Sequence, residues 1–147
     1  MVVVSHTRAI LDFAAANHQL PDTVRADTER LLADTLAVMA AGATTKEAAR
    51  VCEAVTNPAF RNGFAIHCLE WDAVHEPAVV HALSTVTAAL LAASHRRGGS
   101  DPEAFLTALA VGVDIASGLG ISATGAMRFF STRHCWRDRR GDCGCAA

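Results

Sequence analysis

Apolar residues recur every three to four positions over most of the chain, which is the spacing of one face of an α-helix. Helix-starting residues (Ser, Thr, Asn, Asp and Pro) precede several of these stretches, and Gly follows some of them. The pattern predicts six helices, at Ser5 to about Asn17, Pro21 to about Ala41, Lys46 to Val55, Ala59 to about Glu70, about Val80 to Arg97, and Pro102 to about Gly120. No alternating run is long enough for a strand, so we predict an all-α protein.

Several of the predicted helices are apolar on more than one side. The second helix repeats apolar positions at helical spacing, and the segments 88–93 and 108–116 contain almost no polar residue. A helix that is apolar all round belongs in the interior of a protein. We therefore expect these helices to be buried in an assembly larger than a monomer of 147 residues.

Composition and charge exclude several classes of protein. Hydrophobic residues make up 51% of the chain and charged residues 19%, which is enough apolar material for a folded core. The formal net charge is −2, which argues against a general nucleic-acid binder, because such a protein needs a basic face to contact phosphates. We find no apolar run of membrane-spanning length and no basic segment before the N-terminal Val run, so a membrane protein and a secretory signal are not expected. The expected location is the cytoplasm.

The last seventeen residues differ in composition from the rest. From Ser131 onward the chain lacks Val, Ile, Leu and Met, and it carries three of the five cysteines, Cys135, Cys143 and Cys145. The other two, Cys52 and Cys68, lie in apolar helical sequence and are expected to be buried thiols. We divide the chain into a helical domain, residues 1–130, and a tail, residues 131–147.

Three interpretations of the tail remain open. His134 and the three cysteines could form a zinc knuckle, but the usual paired C-x₂-C spacing is missing, so we expect no metal there. The arginines could form a short nucleic-acid arm, which Asp138 and Asp142 weaken. Residues 131–145 can also be encoded by a set of GC-rich codons. When these codons are read one base downstream, they encode mostly small apolar residues. We therefore predict a frameshift near Phe130, and the nucleotide sequence across codon 131 tests it.

Three histidines and three carboxylates lie within residues 67–81 of an otherwise apolar chain: His67, Glu70, Asp72, His75, Glu76 and His81. His67 and Glu70 are expected on one helix face, Asp72 and His75 in a break, and His81 at the start of the next helix. Histidine transfers protons near neutral pH, and a neighbouring carboxylate orients it. Two other interpretations compete. The residues could be caps or solvated surface groups, or His75, His81 and Asp72 could bind a metal.

Four segments of the chain resemble the MmgE/PrpD family, which includes 2-methylcitrate dehydratase, cis-aconitate decarboxylase and an iminodisuccinate epimerase. Leu32 to Gly42 resembles the family's "L-x-D-x-x-A-x-x-x-A-G" helix. Asn62-Gly63 with residues 67–72 resembles its "N-G-x-x-x-H-x-L-D-F-D-D-T-H" segment, and His75 and His81 match the two histidines that follow. Gly112 to Ala116 resembles its "G-Y-E-V-A" segment. The shifted frame of the tail is similar to the family's continuation.

The resemblance implies an all-helical main domain, of which this chain would be the N-terminal part, and a second, smaller α+β domain. It also implies a homodimer and catalysis without a metal or organic cofactor. Glu70 stands where the family has a catalytic-site Asp and His81 where it has a catalytic His, and we add His75 to the catalytic candidates. His67 and Asp72 are expected to bind substrate. The chain departs from the family pattern at Glu70 itself and at Ala73, Val74 and Ala82.

The function implied is that of a lyase, either a dehydratase or a decarboxylase, or of an epimerase. The substrates would be small di- or tricarboxylic acids such as 2-methylcitrate, and neither nucleic acid nor a membrane is an expected partner. The alternative is an inactive helical fragment or pseudoenzyme with at most a role in protein interaction. The residues themselves leave this choice open.

Overall fold

The computed structural model describes residues 5–123, which form six helices and no strand. The prediction of an all-α fold is confirmed. The predicted tail, residues 131–147, and the last residues assigned to the helical domain lie outside the described part of the chain. The helices are α1 (His6–Ala15), α2 (Asp22–Gly42), α3 (Lys46–Ala54), α4 (Pro58–His67), α5 (Ala82–Arg96) and α6 (Pro102–Ser122).

The sequence offers start residues for four helices, namely Ser5, Thr44 or Thr45, Asn57, and Ser100 or Asp101, and one residue from each choice caps its helix. A side-chain oxygen of the cap residue accepts a hydrogen bond from a free backbone N–H group in the first turn. Ser5, Thr45, Asn57 and Asp101 make this contact at the starts of α1, α3, α4 and α6. Local sequence therefore sets where these helices begin.

The core lies where α4 packs against α2 and α5, and α6 packs on both α5 and α2. Ile66 and Leu109 are fully enclosed, and so is the side chain of Thr87. The other buried apolar residues are mostly small or of medium size: Val38, Ala48, Ala65, Ala78, Ala82, Leu83, Ala88, Ala92 and Leu106. Small side chains let helix backbones approach closely, which fixes the positions of the helix ends that carry the site.

Gly42 is required by the packing of α2 against α4. A Cβ atom at this position would overlap the backbone oxygen of Ala65 and lie 2.9 Å from the Sγ atom of Cys68. The sequence predicted that Gly42 ends the second helix, and α2 does end there. Because Gly42 has no side chain, the C-terminal end of α2 can also contact the last turn of α4.

The buried side of α2 differs from the apolar pattern in the sequence. Its buried residues are Thr28, Thr35, Val38 and Gly42, whereas Leu31 and Leu36 are exposed. The threonine hydroxyls are satisfied within the helix, since Thr28 donates to the carbonyl of Val24 at 2.7 Å and Thr35 to that of Leu31 at 2.8 Å. Because these hydroxyls already have partners, burying them against α4 and α5 costs little.

The expectation that Cys52 is buried is wrong. Cys52 is exposed, whereas Cys68 is partly buried. Helix α3 is short, packs mainly on α4, and buries only Ala48. An apolar stretch on a peripheral helix therefore does not place its cysteine in the core.

Among residues 5–123, α6 is long and apolar enough to cross a membrane by length and composition alone, with a mean hydropathy of 1.8. The sequence analysis found no run of this kind, because Asp114 interrupts the apolar residues. The helix packs on α5 and α2, and Arg25 of α2 forms an ion pair with Glu103 in its first turn. Little of its surface is buried by the described residues.

Candidate functional site

The link between α4 and α5 brings the cluster of histidines and carboxylates together. Helix α4 ends at His67, three residues earlier than predicted. Glu70 therefore lies beyond the helix, with φ at 55°, and its N–H group donates to the carbonyl oxygen of His67 at 2.8 Å. The prediction that His67 and Glu70 share a helix face is wrong. A tight turn brings them together instead, and the Nε2 atom of His67 lies 3.3 Å from Oε1 of Glu70.

The second half of the link folds back on itself before α5 begins. The N–H group of His75 donates to the carbonyl oxygen of Val80 at 2.9 Å, and that of Ala78 donates to His75 at 3.2 Å. Val79 has φ at 51°, which is strained for a β-branched residue. Such strain persists only where the surrounding structure imposes it. The turn delivers His81 to the N-cap position of α5.

Asp72 is the centre of the site, and its side chain is 1% exposed. Its Oδ1 atom lies 2.9 Å from Nδ1 of His67, and its Oδ2 atom lies 3.0 Å from Nδ1 of His81. The hydroxyl group of Ser84, in the first turn of α5, donates a hydrogen bond to Oδ2. A buried carboxylate is stable only when it is paired and hydrogen-bonded, and these three side chains meet that condition.

The two imidazoles contact Asp72 in different ways. His67 forms a hydrogen bond with the carboxylate, whereas Nδ1 of His81 is buried without one, in spite of its short distance to Oδ2. The attraction between His81 and Asp72 is therefore mainly coulombic, and it is strongest when the imidazole carries a positive charge. The rings meet edge to face, with centroids 4.7 Å apart, and the side chains of His67 and His81 are 46% and 27% exposed.

The net electrostatic environment favours the ionised form of Asp72. Burial on its own raises the pKa of this carboxyl group. Hydrogen bonds from Ser84 and His67, with the positive charge that His81 and His67 can carry, outweigh burial, so the pKa of Asp72 lies below its ordinary value. Asp72 is thus a fixed negative charge beneath two imidazoles.

A cavity of about 990 Å³ opens onto this cluster. His67, Glu70, Asp72, His81 and Ser84 all contribute to its wall, together with apolar side chains. Among residues 5–123, no Lys or Arg lines it. The site can accept and donate protons through imidazole and carboxylate groups, and its described part supplies positive charge only through the histidines.

The remaining predicted site residues take different positions. Glu70 reaches the cavity from the solvent side, and its side chain is 77% exposed. His75 does not line the cavity, and its Nδ1 atom is buried without a hydrogen bond. The structure thus brings His67, Glu70, Asp72 and His81 together and leaves His75 outside this group.

His67, Asp72 and His81 are also the group among residues 5–123 that could hold a metal ion, with ligand atoms within 4.8 Å of one another. Two ligands of a zinc ion lie at most about 4.2 Å apart, so a set that spans 4.8 Å would have to contract to hold one. Both imidazoles already lie at hydrogen-bonding distance from the carboxylate. The metal set considered from the sequence contained His75, and the fold puts His67 in its place.

Sequence reasoning missed Ser84. Nothing in the local pattern separates it from an ordinary polar residue in the first turn of a helix, since its partner Asp72 lies twelve positions earlier. One signal was available: Ser84 follows His81 by three residues, so both lie on the same face of α5. A polar residue on the face of a candidate histidine is a candidate partner for the site.

Comparison with known proteins gives one match. A family model described as the MmgE/PrpD N-terminal domain matches residues 53–136, which is more than half of the chain. The matched segment contains α4, α5, α6 and every residue of the site. Leu32 to Gly42, which also resembles the family, lies before it. No curated protein and no solved structure matches the chain.

Proposed function

The chain belongs to the MmgE/PrpD family, and on that premise we propose that it forms part of a cofactor-independent lyase or epimerase. Its substrates are small di- or tricarboxylic acids, of which 2-methylcitrate is the first to test. One observation carries the proposal: a buried, ionised Asp72 holds two imidazoles at the wall of a large cavity. That arrangement suits proton transfer to and from a bound acid.

His81 is the proposed general base. It accepts a proton from the carbon next to a substrate carboxylate, and Asp72, 3.0 Å away, stabilises the imidazolium that forms. In a dehydration, protonated Glu70 donates its proton to the departing hydroxyl group, which leaves as water. His75 was the other catalytic candidate, but it lies outside the cavity wall and takes no step here. In an epimerisation, a proton returns to the same carbon on the opposite face. His67 and Asp72 were predicted to bind substrate, and His67 keeps that role here.

The substrate's negative charge requires more cations than the described residues offer. Stabilisation of an enolate-like intermediate depends on preorganised donors and positive groups. We propose that residues outside the described part, from a second domain or a partner subunit of a homodimer, supply them. The apolar surface of α6 would then be covered by protein. Asp114 in the middle of α6 supports this, because a carboxylate at the bilayer centre is costly. We propose a cytoplasmic location.

The test is an assay of the longer product obtained by reading the gene one base downstream at codon 131. It should be supplied with 2-methylcitrate and related polycarboxylates and monitored for loss of water, loss of carbon dioxide and change of configuration. We expect His81→Ala to lower kcat/KM by about 10²–10⁴-fold. The control is His95→Ala, which removes a histidine at the exposed end of α5 and should leave kcat/KM within about twofold.

The competing function is that of an inactive helical fragment or pseudoenzyme. It is favoured by the lack of Lys and Arg in the described cavity wall and by the departures from the family pattern at Ala73, Val74 and Ala82. A folded longer product that transforms none of the polycarboxylates would support this alternative and refute the enzyme proposal.

A further inference from the structure

Ser84 anchors the central carboxylate of the site to a rigid element. The side chain is buried, and its hydroxyl group donates to Oδ2 of Asp72. Asp72 itself lies in the link between α4 and α5, where no helical hydrogen bonds hold its backbone. Ser84 is therefore the contact that ties the carboxylate to the first turn of α5, the helix that His81 caps.

The orientation of the carboxylate determines which ring nitrogen of His67 carries the hydrogen in the neutral imidazole. An ionised carboxylate only accepts hydrogen bonds, so its bond with His67 requires the hydrogen to be on Nδ1. In the neutral imidazole, Nε2 is then the basic atom, and it lies on the side of Glu70. A carboxylate free to rotate would lose this selection, because the second tautomer would no longer be excluded.

We propose that Ser84 is a positioning residue: it fixes the plane of the Asp72 carboxylate and so selects the Nδ1–H tautomer of His67 and the placement of His81. Asp72 accordingly positions the two histidines, whereas the sequence predicted that it binds substrate. This inference rests on the proposed function only in one respect, namely which reaction the two histidines perform. The tautomer selection is a property of the described chain alone.

The test is ¹⁵N nuclear magnetic resonance of the histidine rings in the 147-residue chain, at about pH 9, well above the ordinary histidine pKa of about 6.5. The ring nitrogen shifts give the ratio of the Nδ1–H to the Nε2–H tautomer for each histidine. We expect Ser84→Ala to lower this ratio at His67 by about three- to tenfold, since it removes a hydrogen bond to a charged acceptor. Ser84→Thr keeps a hydroxyl group and should restore it.

The matched control is Thr85→Ala, on the same helical turn. The hydroxyl group of Thr85 donates only to the carbonyl oxygens of His81 and Ala82, so its loss should leave the His67 ratio unchanged. Amide spectra report whether each variant folds. If Ser84→Ala fails to fold, Ser84→Cys keeps the volume with a weaker donor and should give an intermediate ratio.

A double-mutant cycle separates positioning from a general structural effect. If Ser84 acts through Asp72, then Ser84→Ala changes nothing further in the Asp72→Asn background. An unchanged ratio in folded Ser84→Ala, or an equal change in both backgrounds, would overturn the proposal. The measurement uses no substrate. A longer product without turnover would therefore refute the proposed function and leave the result on Ser84 standing.

Discussion

At the residue scale, the property that organises the site is the burial of one charge. Asp72 is enclosed, yet its pKa lies below the ordinary value because hydrogen bonds and nearby imidazoles outweigh burial. Burial on its own disfavours an ionised carboxyl group. The fold therefore uses part of its stability to keep a negative charge beside His67 and His81, which is where an acid–base site needs it.

The low pKa of Asp72 makes stability depend on pH. A carboxyl group whose pKa is lowered by folding stabilises the protein above its unfolded pKa, and this stabilisation is lost as the pH falls through the folded value. The free energy of unfolding should therefore fall below about pH 3.8, the ordinary value, more steeply in the wild type than in Asp72→Asn. Denaturant titrations of both proteins over that range measure the difference, and parallel curves would contradict it.

At the scale of elements, the site depends on a close approach of two helices. Gly42 at the end of α2 touches Ala65 and Cys68 at the end of α4, next to His67. Gly112 of α6 likewise lies against Val86 of α5, where an added Cβ would come within 2.7 Å of a methyl group. These contacts fix the ends of α4 and α5 between which the link must fold.

Replacing Gly42 should therefore damage the fold near the site. We expect Gly42→Ala to lower the free energy of unfolding by about 1–3 kcal/mol, because its Cβ meets backbone that has to shift. The control is Gly118→Ala in α6, which meets nothing within 4 Å and should be neutral or stabilising by up to about 1 kcal/mol. Chemical denaturation followed by circular dichroism measures both, and equal effects would show that the approach is not tight.

At the scale of the whole molecule, much apolar surface is left uncovered by the described helices. Leu119 and Ile121 near the end of α6, Leu31 and Leu36 on α2, and Trp71 beside the site are all exposed. Exposed apolar surface of this extent normally marks contact with further protein. The surface agrees with the expectation, made from the sequence, that these helices belong in a larger assembly.

The 147-residue chain by itself should not turn over substrate. The described wall of its cavity has no Lys or Arg to hold a polycarboxylate, and loss of one preorganised donor already costs about 10²–10³-fold in rate. Assays of the purified chain for dehydration, decarboxylation and epimerisation, alongside the longer product, check this. Turnover by the chain that disappears in His81→Ala would show that the site is complete without further residues.

The sequence by itself determined the helices, two of their caps and the residues of the cluster. Helix periodicity and capping are local, so Ser5 and Asn57 could be identified from their neighbours alone, and the other two caps could be narrowed to Thr44 or Thr45 and to Ser100 or Asp101. The motif around Asn62-Gly63 and residues 67–81 also indicated the family, which the match over residues 53–136 confirms. The types of residue and their density also indicated acid–base chemistry, which remains a prediction.

Only the tertiary structure decided which of those residues act together. The sequence made His75 a catalytic candidate and His67 a substrate-binding one, but the turn at Glu70 and the fold-back before α5 put His67 beside Asp72 and leave His75 outside the cavity. Ser84 joined the site because α5 packs against α4, a contact between residues distant in the chain. Periodicity describes one element at a time, whereas a site is formed by the contacts between elements.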